Sequence, residues 1–178
     1  LPSDLVRMSC PDPSYKPWDL KFYKRVTFGK TLEGSTKLKD EDRKKISEQA
    51  LRGLKPDLDV WTDGSVGEAG SGGAAILYRG SKRSAPVHDI RVNQAGKLAC
   101  SFDAECVAIL AGLSGVKDYL KHKHKKMHTR IRFVTDSQSA IASLASGPLG
   151  VNEPLPQRIW NDISNLLHNH INATIHFQ

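Results

Sequence analysis

The stretch DLDVWTDGSV, residues 57–66, combines a β-strand pattern with an acid near its end. Apolar and β-branched residues recur at every second position, which is typical of a half-buried strand. Gly64 and Ser65 follow directly after Asp63 and are expected to end that strand. Asp63 is therefore either a turn residue bonded to its own backbone or a functional group held at the end of a strand.

The composition indicates one ordinary hydrophobic core and a basic surface. The chain has 178 residues, 39% of them hydrophobic, which is enough for a core of about 100 to 150 residues and an extension. There are 26 Lys and Arg against 19 Asp and Glu, for a net charge of +7. This balance favours an anionic partner such as nucleic acid, although many basic proteins bind no polyanion.

Several features predict an intracellular protein in the cytoplasm or the nucleus. The three cysteines form no Cys-x-x-Cys pair, which favours a reducing compartment over a disulfide framework or a zinc site. No run approaches 18 apolar residues and no signal-peptide pattern opens the chain, so we expect a soluble protein without a membrane partner. The first residue is not Met, as expected of a piece of a longer polypeptide.

The chain divides into two regions of different character. Residues 1–54 contain four early prolines and many Lys and Arg, and we interpret them as a basic N-terminal extension or linker with a short surface helix near residues 39–54. In residues 55–178 the apolar spacing predicts three strands, a helix, a strand, two helices and a last strand that begins near Ile171. Ser101 is expected to cap the first of these helices. The predicted fold is an α/β domain with a mixed five-stranded sheet, three antiparallel strands followed by parallel crossovers.

Three acids are expected to meet at one edge of this sheet. Asp63 and Asp136 each follow a Thr at the end of an apolar strand, and a parallel crossover brings those two strands side by side. Glu105 shares a helical stripe with Ile109 and Gly112 that faces the sheet. Gathered carboxylates repel one another, so they either share protons or bind a cation, and oxygen ligands favour Mg²⁺ or Mn²⁺. Alternatively, Glu105 lies partly exposed in a first helical turn, where an acid complements the helix dipole.

These motifs together resemble ribonuclease H. The matching segments are WTDGSV, GSGGAAIL, DAECVAILAGL and FVTDSQSA, in this order, within residues 57–178. The segment GKLACSFDAECVAILAGL is most similar to the ribonuclease H domains of non-LTR retrotransposon polyproteins. The basic segment upstream, which contains Pro-Trp, supports the same resemblance.

The resemblance implies hydrolysis of the RNA strand of an RNA–DNA hybrid, with Asp63, Glu105 and Asp136 holding two Mg²⁺ or Mn²⁺ ions and no small-molecule cofactor. It also implies an upstream reverse transcriptase domain in the same polypeptide. It places hybrid contacts at four residues beside the acids: Gly64, Ser65, Ser101 and Gln138. Alternatively, Ser65, Ser101 and Gln138 are cap or turn residues.

The sequence departs from the family pattern in one respect. The family has a fourth acid on a helix after the last strand, behind a loop that bears a histidine, whereas this sequence ends at Gln178. We therefore expect a domain that lacks its C-terminal helix and one metal ligand. The chain is then either part of a longer active nuclease, or a catalytically silent module that binds nucleic acid or docks in a ribonucleoprotein.

Overall fold

The computed structural model describes residues 24–29, 39–68, 70–80, 86–92, 95, 99–121 and 127–178. The predicted extension therefore falls partly outside the described residues. The elements, in chain order, are β1 (Val26–Phe28), α1 (Asp40–Arg52), β2 (Leu58–Gly67), β3 (Gly70–Arg79), β4 (Pro86–Val92), α2 (Ser101–Leu120), β5 (Thr129–Val134), α3 (Gln138–Ala145), α4 (Pro154–Asn169) and β6 (Ala173–Phe177).

The described strands form one mixed sheet in the order β1-β6-β5-β2-β3-β4. β2, β3 and β4 are antiparallel neighbours, whereas β5 pairs parallel with β2 and with β6. The predicted α/β class is confirmed, as is the succession of three antiparallel strands and parallel crossovers. The predicted number of five strands is wrong, because six strands pair in the described part of the chain.

The additional strand, β1, lies within the predicted N-terminal extension. Val26 is buried and pairs in parallel with Ile175 of β6. Three residues are too few to show a two-residue period against a basic background, which is why the sequence pattern did not reveal this strand. Residues 1–23 and 30–38 lie outside the described residues, and the predicted boundary after residue 54 stays a prediction.

Aromatic rings join the three parallel strands at the β1 edge of the sheet. Phe177 of β6 stacks on Phe133 of β5 at a centroid distance of 5.1 Å and on Phe28 of β1 at 5.4 Å. Trp160 of α4 lies 6.2 Å from Phe28. Because such contacts add to the burial of apolar area, they fix β1 to the core in spite of its length.

Helix α2 packs on the sheet through the stripe that the sequence predicted. Glu105, Ile109, Gly112 and Val116 are all buried. A Cβ atom on Gly112 would lie 2.8 Å from Cγ1 of Val60, so a larger side chain would push the helix away from β2.

Within the described part of the chain, no helix has both the length and the apolar character needed to cross a membrane.

Two predicted boundaries shift in the structure. Cys100, and not Ser101, is the N-cap of α2, and its N–H donates to Oδ2 of Asp103 at 3.0 Å. Ser101 is the first helical residue. Ile171 was expected to begin the last strand, but it is 60% exposed in the turn before β6. Both differences arise at element ends, where local sequence patterns are least informative.

A buried ion pair joins the two strands at the centre of the sheet. Asp59 and Arg132 are register partners on β2 and β5, and both side chains are almost fully buried. Arg132 Nε donates to Asp59 Oδ1 and Nη2 donates to Oδ2, each at 2.8 Å. The expectation of a half-buried β2 is therefore wrong at Asp59, because this strand is covered on both faces.

Two arginines bind carbonyl groups at the ends of helices. Nη1 of Arg132 donates to the carbonyl oxygen of Leu51 at 2.6 Å, at the C-terminus of α1. Nη1 of Arg25 donates to the carbonyl oxygens of Leu167 in the last turn of α4 and of the C-cap residue His170. It also donates to the carbonyl oxygen of Ile171 in the turn that follows. A cation at this position satisfies carbonyls that have no partner within the helix and complements the helix dipole. Both contacts tie residues before position 55 to the sheet domain.

We expect Arg132→Leu to lower the free energy of unfolding by about 3–5 kcal/mol, because it leaves a buried carboxylate without its guanidinium. Arg130→Leu is the matched control, since Arg130 lies on the same strand but its pair with Asp57 is exposed. That change should cost about 1 kcal/mol or less. Urea unfolding of both variants measures the difference, and equal losses would contradict a special role for the buried pair.

Candidate metal centre

The structure brings the three predicted acids together. One carboxylate oxygen from each of Asp63, Glu105 and Asp136 lies within 4.8 Å of the others. The last register pair between β2 and β5 is Trp61 with Val134, so each aspartate lies two residues beyond it. Asp63 lies inside β2, which continues to Gly67, so the turn interpretation of this residue is wrong. Asp63 and Asp136 are exposed to solvent, whereas Glu105 is buried.

Glu105 is held by hydrogen bonds from β2 and from the residue that directly follows β5. Its Oε1 accepts from the backbone N–H of Gly64 at 3.1 Å, and its Oε2 accepts from Oγ1 of Thr135 at 3.3 Å. With 5% of its surface exposed, Glu105 does not have the partly exposed position that the helix-dipole alternative required. The two bonds orient both carboxylate oxygens at the sheet edge where the aspartates lie.

Burial is the main cause that raises the pKa of Glu105 above its ordinary value. The N–H of Gly64 acts in the opposite direction, and the negative charge of Asp136 adds to the rise. The ionised glutamate is thus unfavourable in the fold unless a positive charge is bound nearby. This electrostatic arrangement favours a cation.

A pair of glycines allows α2 to reach the carboxylate edge. Gly64 and Gly73 are register partners on β2 and β3. A Cβ atom on Gly64 would lie 2.5 Å from the backbone N of Glu105, and one on Gly73 would lie 2.5 Å from the backbone N of Ala108. The helix backbone therefore rests on the sheet backbone at these positions. This close approach brings Glu105 within hydrogen-bonding distance of Gly64.

Thr135 is a site residue that the sequence interpretation missed. Its buried hydroxyl donates to Glu105 and accepts from the N–H of Ser137 at 3.1 Å. The repeated Thr-Asp sequence drew attention to the acids, although the threonine before Asp136 also belongs to the site. Nothing in the local pattern distinguishes Thr135 from Thr62, which occupies the same place in the first motif.

The four predicted contact residues surround the acids along the chain. Ser65 follows Gly64 on β2, whereas Ser101 and Gln138 are the first residues of α2 and α3. These three residues are exposed. Gly64 is half-buried, and its N–H is bonded to Glu105. Their contacts with nucleic acid stay predictions.

The donor set fits a hard divalent cation. It consists of carboxylate oxygens, with no His or Cys in the group, and such ligands favour Mg²⁺ or Mn²⁺ over softer metals. Asp63 and Asp136 present their charges to solvent, from which an ion can enter. Glu105 supplies an oriented oxygen from the interior side.

Neither a protein-family model nor a curated protein sequence matches this chain. Among solved structures, this chain is similar to ribonuclease H1 from the halophilic archaeon Halobacterium salinarum, at 18% sequence identity. The alignment covers 68% of this chain and 83% of that protein, with a TM-score of 0.48. A complex of LC11 ribonuclease H1 with an RNA/DNA hybrid has 15% identity, the same two coverages and a TM-score of 0.49. Prototype foamy virus protease–reverse transcriptase has 19% identity, coverage of 69% of this chain and 17% of that one, and a TM-score of 0.46.

We expect Gly64→Ala to lower the free energy of unfolding by roughly 1–3 kcal/mol, because the added methyl group meets helix backbone and not a movable side chain. Gly67→Ala is the matched control on the same strand, since the nearest atom to its Cβ would be 3.7 Å away. The control should stay within about 0.5 kcal/mol of the parent protein. Equal stability of the two variants in urea would contradict the close approach.

In metal-free buffer we expect Glu105→Gln to be more stable than the parent protein at pH 7. Since the pKa of Glu105 is raised in the fold, its ionised form destabilises the folded state above that raised pKa. As the pH falls through the raised pKa and below the ordinary value of 4.5, the glutamate becomes protonated in both states and the destabilisation disappears. Urea unfolding between pH 4 and pH 7 with a chelator measures the difference. A variant that is less stable than the parent at pH 7 would refute this prediction.

Proposed function

We propose that this chain is a metal-dependent endonuclease that cleaves the RNA strand of RNA–DNA hybrids. The observation that carries the proposal is the convergence of Asp63, Glu105 and Asp136 within 4.8 Å. The order of the motifs around these acids, which resembles ribonuclease H, supports the same activity. The net charge of +7 suits a polyanionic substrate.

The three carboxylates would hold the cations, which we propose to be two Mg²⁺ or Mn²⁺ ions. Ions of this kind activate a water molecule and stabilise the leaving oxygen in displacement at phosphorus. Without positive charge, the acids would repel the phosphate of the substrate. Asp63 and Asp136 face solvent, from which a phosphate can approach. The buried carboxylate of Glu105 is held by hydrogen bonds from Gly64 and Thr135.

We assign recognition of the hybrid to the exposed polar groups beside the acids. An RNA–DNA hybrid is close to A-form, so a protein reads its 2′-hydroxyl groups in the wide minor groove and grips its phosphates. Ser65, Ser101 and Gln138 offer hydroxyl and amide groups from three different elements. We also assign a backbone contact with the hybrid to Gly64, which lies beside Ser65 on β2.

We further propose that the hybrid is produced by a reverse transcriptase domain upstream in the same polypeptide, as in a non-LTR retrotransposon. The similarity of residues 96–113 to such domains supports this context, as does the basic segment before residue 55. In this setting the nuclease would degrade the RNA template that is paired with the newly synthesised DNA strand.

A catalytically silent module that binds nucleic acid is the second candidate. The observation that favours it is the size of the acidic group, since three carboxylates gather among the described residues whereas the family resemblance implies four. Such a module would bind hybrid and metal without cutting. Cleavage and binding must therefore be measured separately.

We expect Asp63→Asn to reduce cleavage of a labelled hybrid by more than about 100-fold, because loss of a metal ligand should exceed the effect of losing an outer hydrogen bond. Asp118→Asn is the control. This acid lies near the C-terminal end of α2, about 20 Å from Glu105 along the helix axis. It should cut as the parent protein does. Folding and hybrid affinity should be retained in both variants.

The assay is performed with Mg²⁺, with Mn²⁺ and with a chelator. Cleavage that requires the ion and Asp63 supports the nuclease. Cleavage that persists in chelator or in Asp63→Asn refutes the assignment of Asp63. Hybrid binding by the parent protein without any cleavage supports the silent module instead.

A further inference from the structure

We propose that Thr135 is a positioning residue, whose hydroxyl sets the distance between Glu105 and Asp136 and thereby the affinity of the site for divalent metal. This inference rests on the proposed function, because it assigns a role toward the same cation. The residue itself touches neither the ion nor the substrate in this proposal. It acts through the two carboxylates on either side of it.

The hydroxyl of Thr135 bridges two elements that each carry one acid. It donates to Oε2 of Glu105 on α2 at 3.3 Å and accepts from the backbone N–H of Ser137 at 3.1 Å. Asp136 lies between Thr135 and Ser137 in the chain. One oxygen atom therefore fixes both the glutamate carboxylate and the backbone turn that presents Asp136.

The surroundings of Thr135 restrict its movement. Only 9% of its surface is exposed, and its backbone N–H donates to the carbonyl oxygen of Gln178 at 3.1 Å. Ser137 is in turn the N-cap of α3, and its Oγ accepts from the N–H of Ala140 at 3.3 Å. The turn that carries Asp136 is thus anchored on both sides, and the Thr135 hydroxyl links this anchored turn to Glu105.

Thr62 shows that the contact is specific to one of the two Thr-Asp motifs. It precedes Asp63 as Thr135 precedes Asp136, and it is similarly buried, with 7% of its surface exposed. Its Oγ1, however, donates to the backbone carbonyl of Val134 at 3.3 Å and not to a carboxylate. Loss of either hydroxyl removes a buried hydrogen bond, but only the loss at Thr135 releases a carboxylate of the site.

The carboxylate contact has a direct consequence for metal binding. Outer hydrogen bonds that orient ligands typically change metal affinity or activity by about 10- to 100-fold when they are removed. A Val side chain at position 135 has nearly the shape of Thr, but it leaves Oε2 of Glu105 and the N–H of Ser137 without this partner. Both acids then lose part of their orientation while the charge of the site is unchanged.

The test compares Thr135→Val with Thr62→Val and Thr135→Ser in the full chain. Isothermal titration calorimetry with Mn²⁺ measures metal affinity without substrate, and thermal unfolding without metal measures stability. We expect Thr135→Val to weaken Mn²⁺ binding by roughly 10- to 100-fold. Thr62→Val and Thr135→Ser should bind as the parent protein does. The Mg²⁺ concentration that gives half-maximal hybrid cleavage should rise by a similar factor in Thr135→Val alone.

The outcomes separate this inference from the proposed function. If Mn²⁺ binding by the parent protein is absent or unaffected by Asp63→Asn, the proposed metal centre itself fails, and the role of Thr135 fails with it. If binding depends on Asp63 but Thr135→Val and Thr62→Val bind equally, only the inference about Thr135 is refuted. Weak binding by Thr135→Ser would also refute it, since the hydroxyl is retained. Thr135→Ala, which removes the hydroxyl without adding a methyl group, replaces Thr135→Val if the valine variant does not fold.

Discussion

The parallel register between β2 and β5 determines whether this molecule has a site at all. The buried bidentate pair of Asp59 with Arg132 joins the two strands at one register position. The two aspartates of the candidate metal centre each lie four residues farther along the chain, Asp63 within β2 and Asp136 just after β5. A slip of one residue would turn every side chain of one strand to the opposite face. It would bury an unpaired charge and separate the aspartates at the same time, so the ion pair selects the register in which the acids meet.

The sequence predicted the parts of the structure that local patterns encode. The period of α2 predicted that Glu105 faces the sheet, and the two Thr-Asp endings predicted that two acids meet, because neighbouring parallel strands end at the same edge. The burial of Asp59 was not predictable in this way, since it depends on Arg132, which lies 73 residues away. The same limit explains β1, whose assignment depends on pairing with β6, and Thr135, whose role depends on the approach of α2.

The residues before position 55 contribute more to the domain than their composition suggests. Val26 extends the sheet, Arg25 binds carbonyls at the end of α4, and the end of α1 accepts a hydrogen bond from Arg132. Arg132 thus serves the central ion pair and the docking of α1 with one guanidinium group, whose five N–H donors point in fixed directions. A basic composition indicated an extension, whereas the contacts show that part of this segment is packed against the domain.

The separation of β2 from β5 along the chain also has a kinetic consequence. The meander of β2, β3 and β4 contains only neighbouring antiparallel pairs, so it can form through local loop closure, whereas the pairing of β2 with β5 must close a much longer loop. During synthesis from the N-terminus, Asp63 and Glu105 emerge from the ribosome before Arg132 and Asp136 do. A nascent chain that has folded only its meander therefore holds an incomplete set of acids, and the proposed divalent-ion site is completed late, with the closure of the central strand pair.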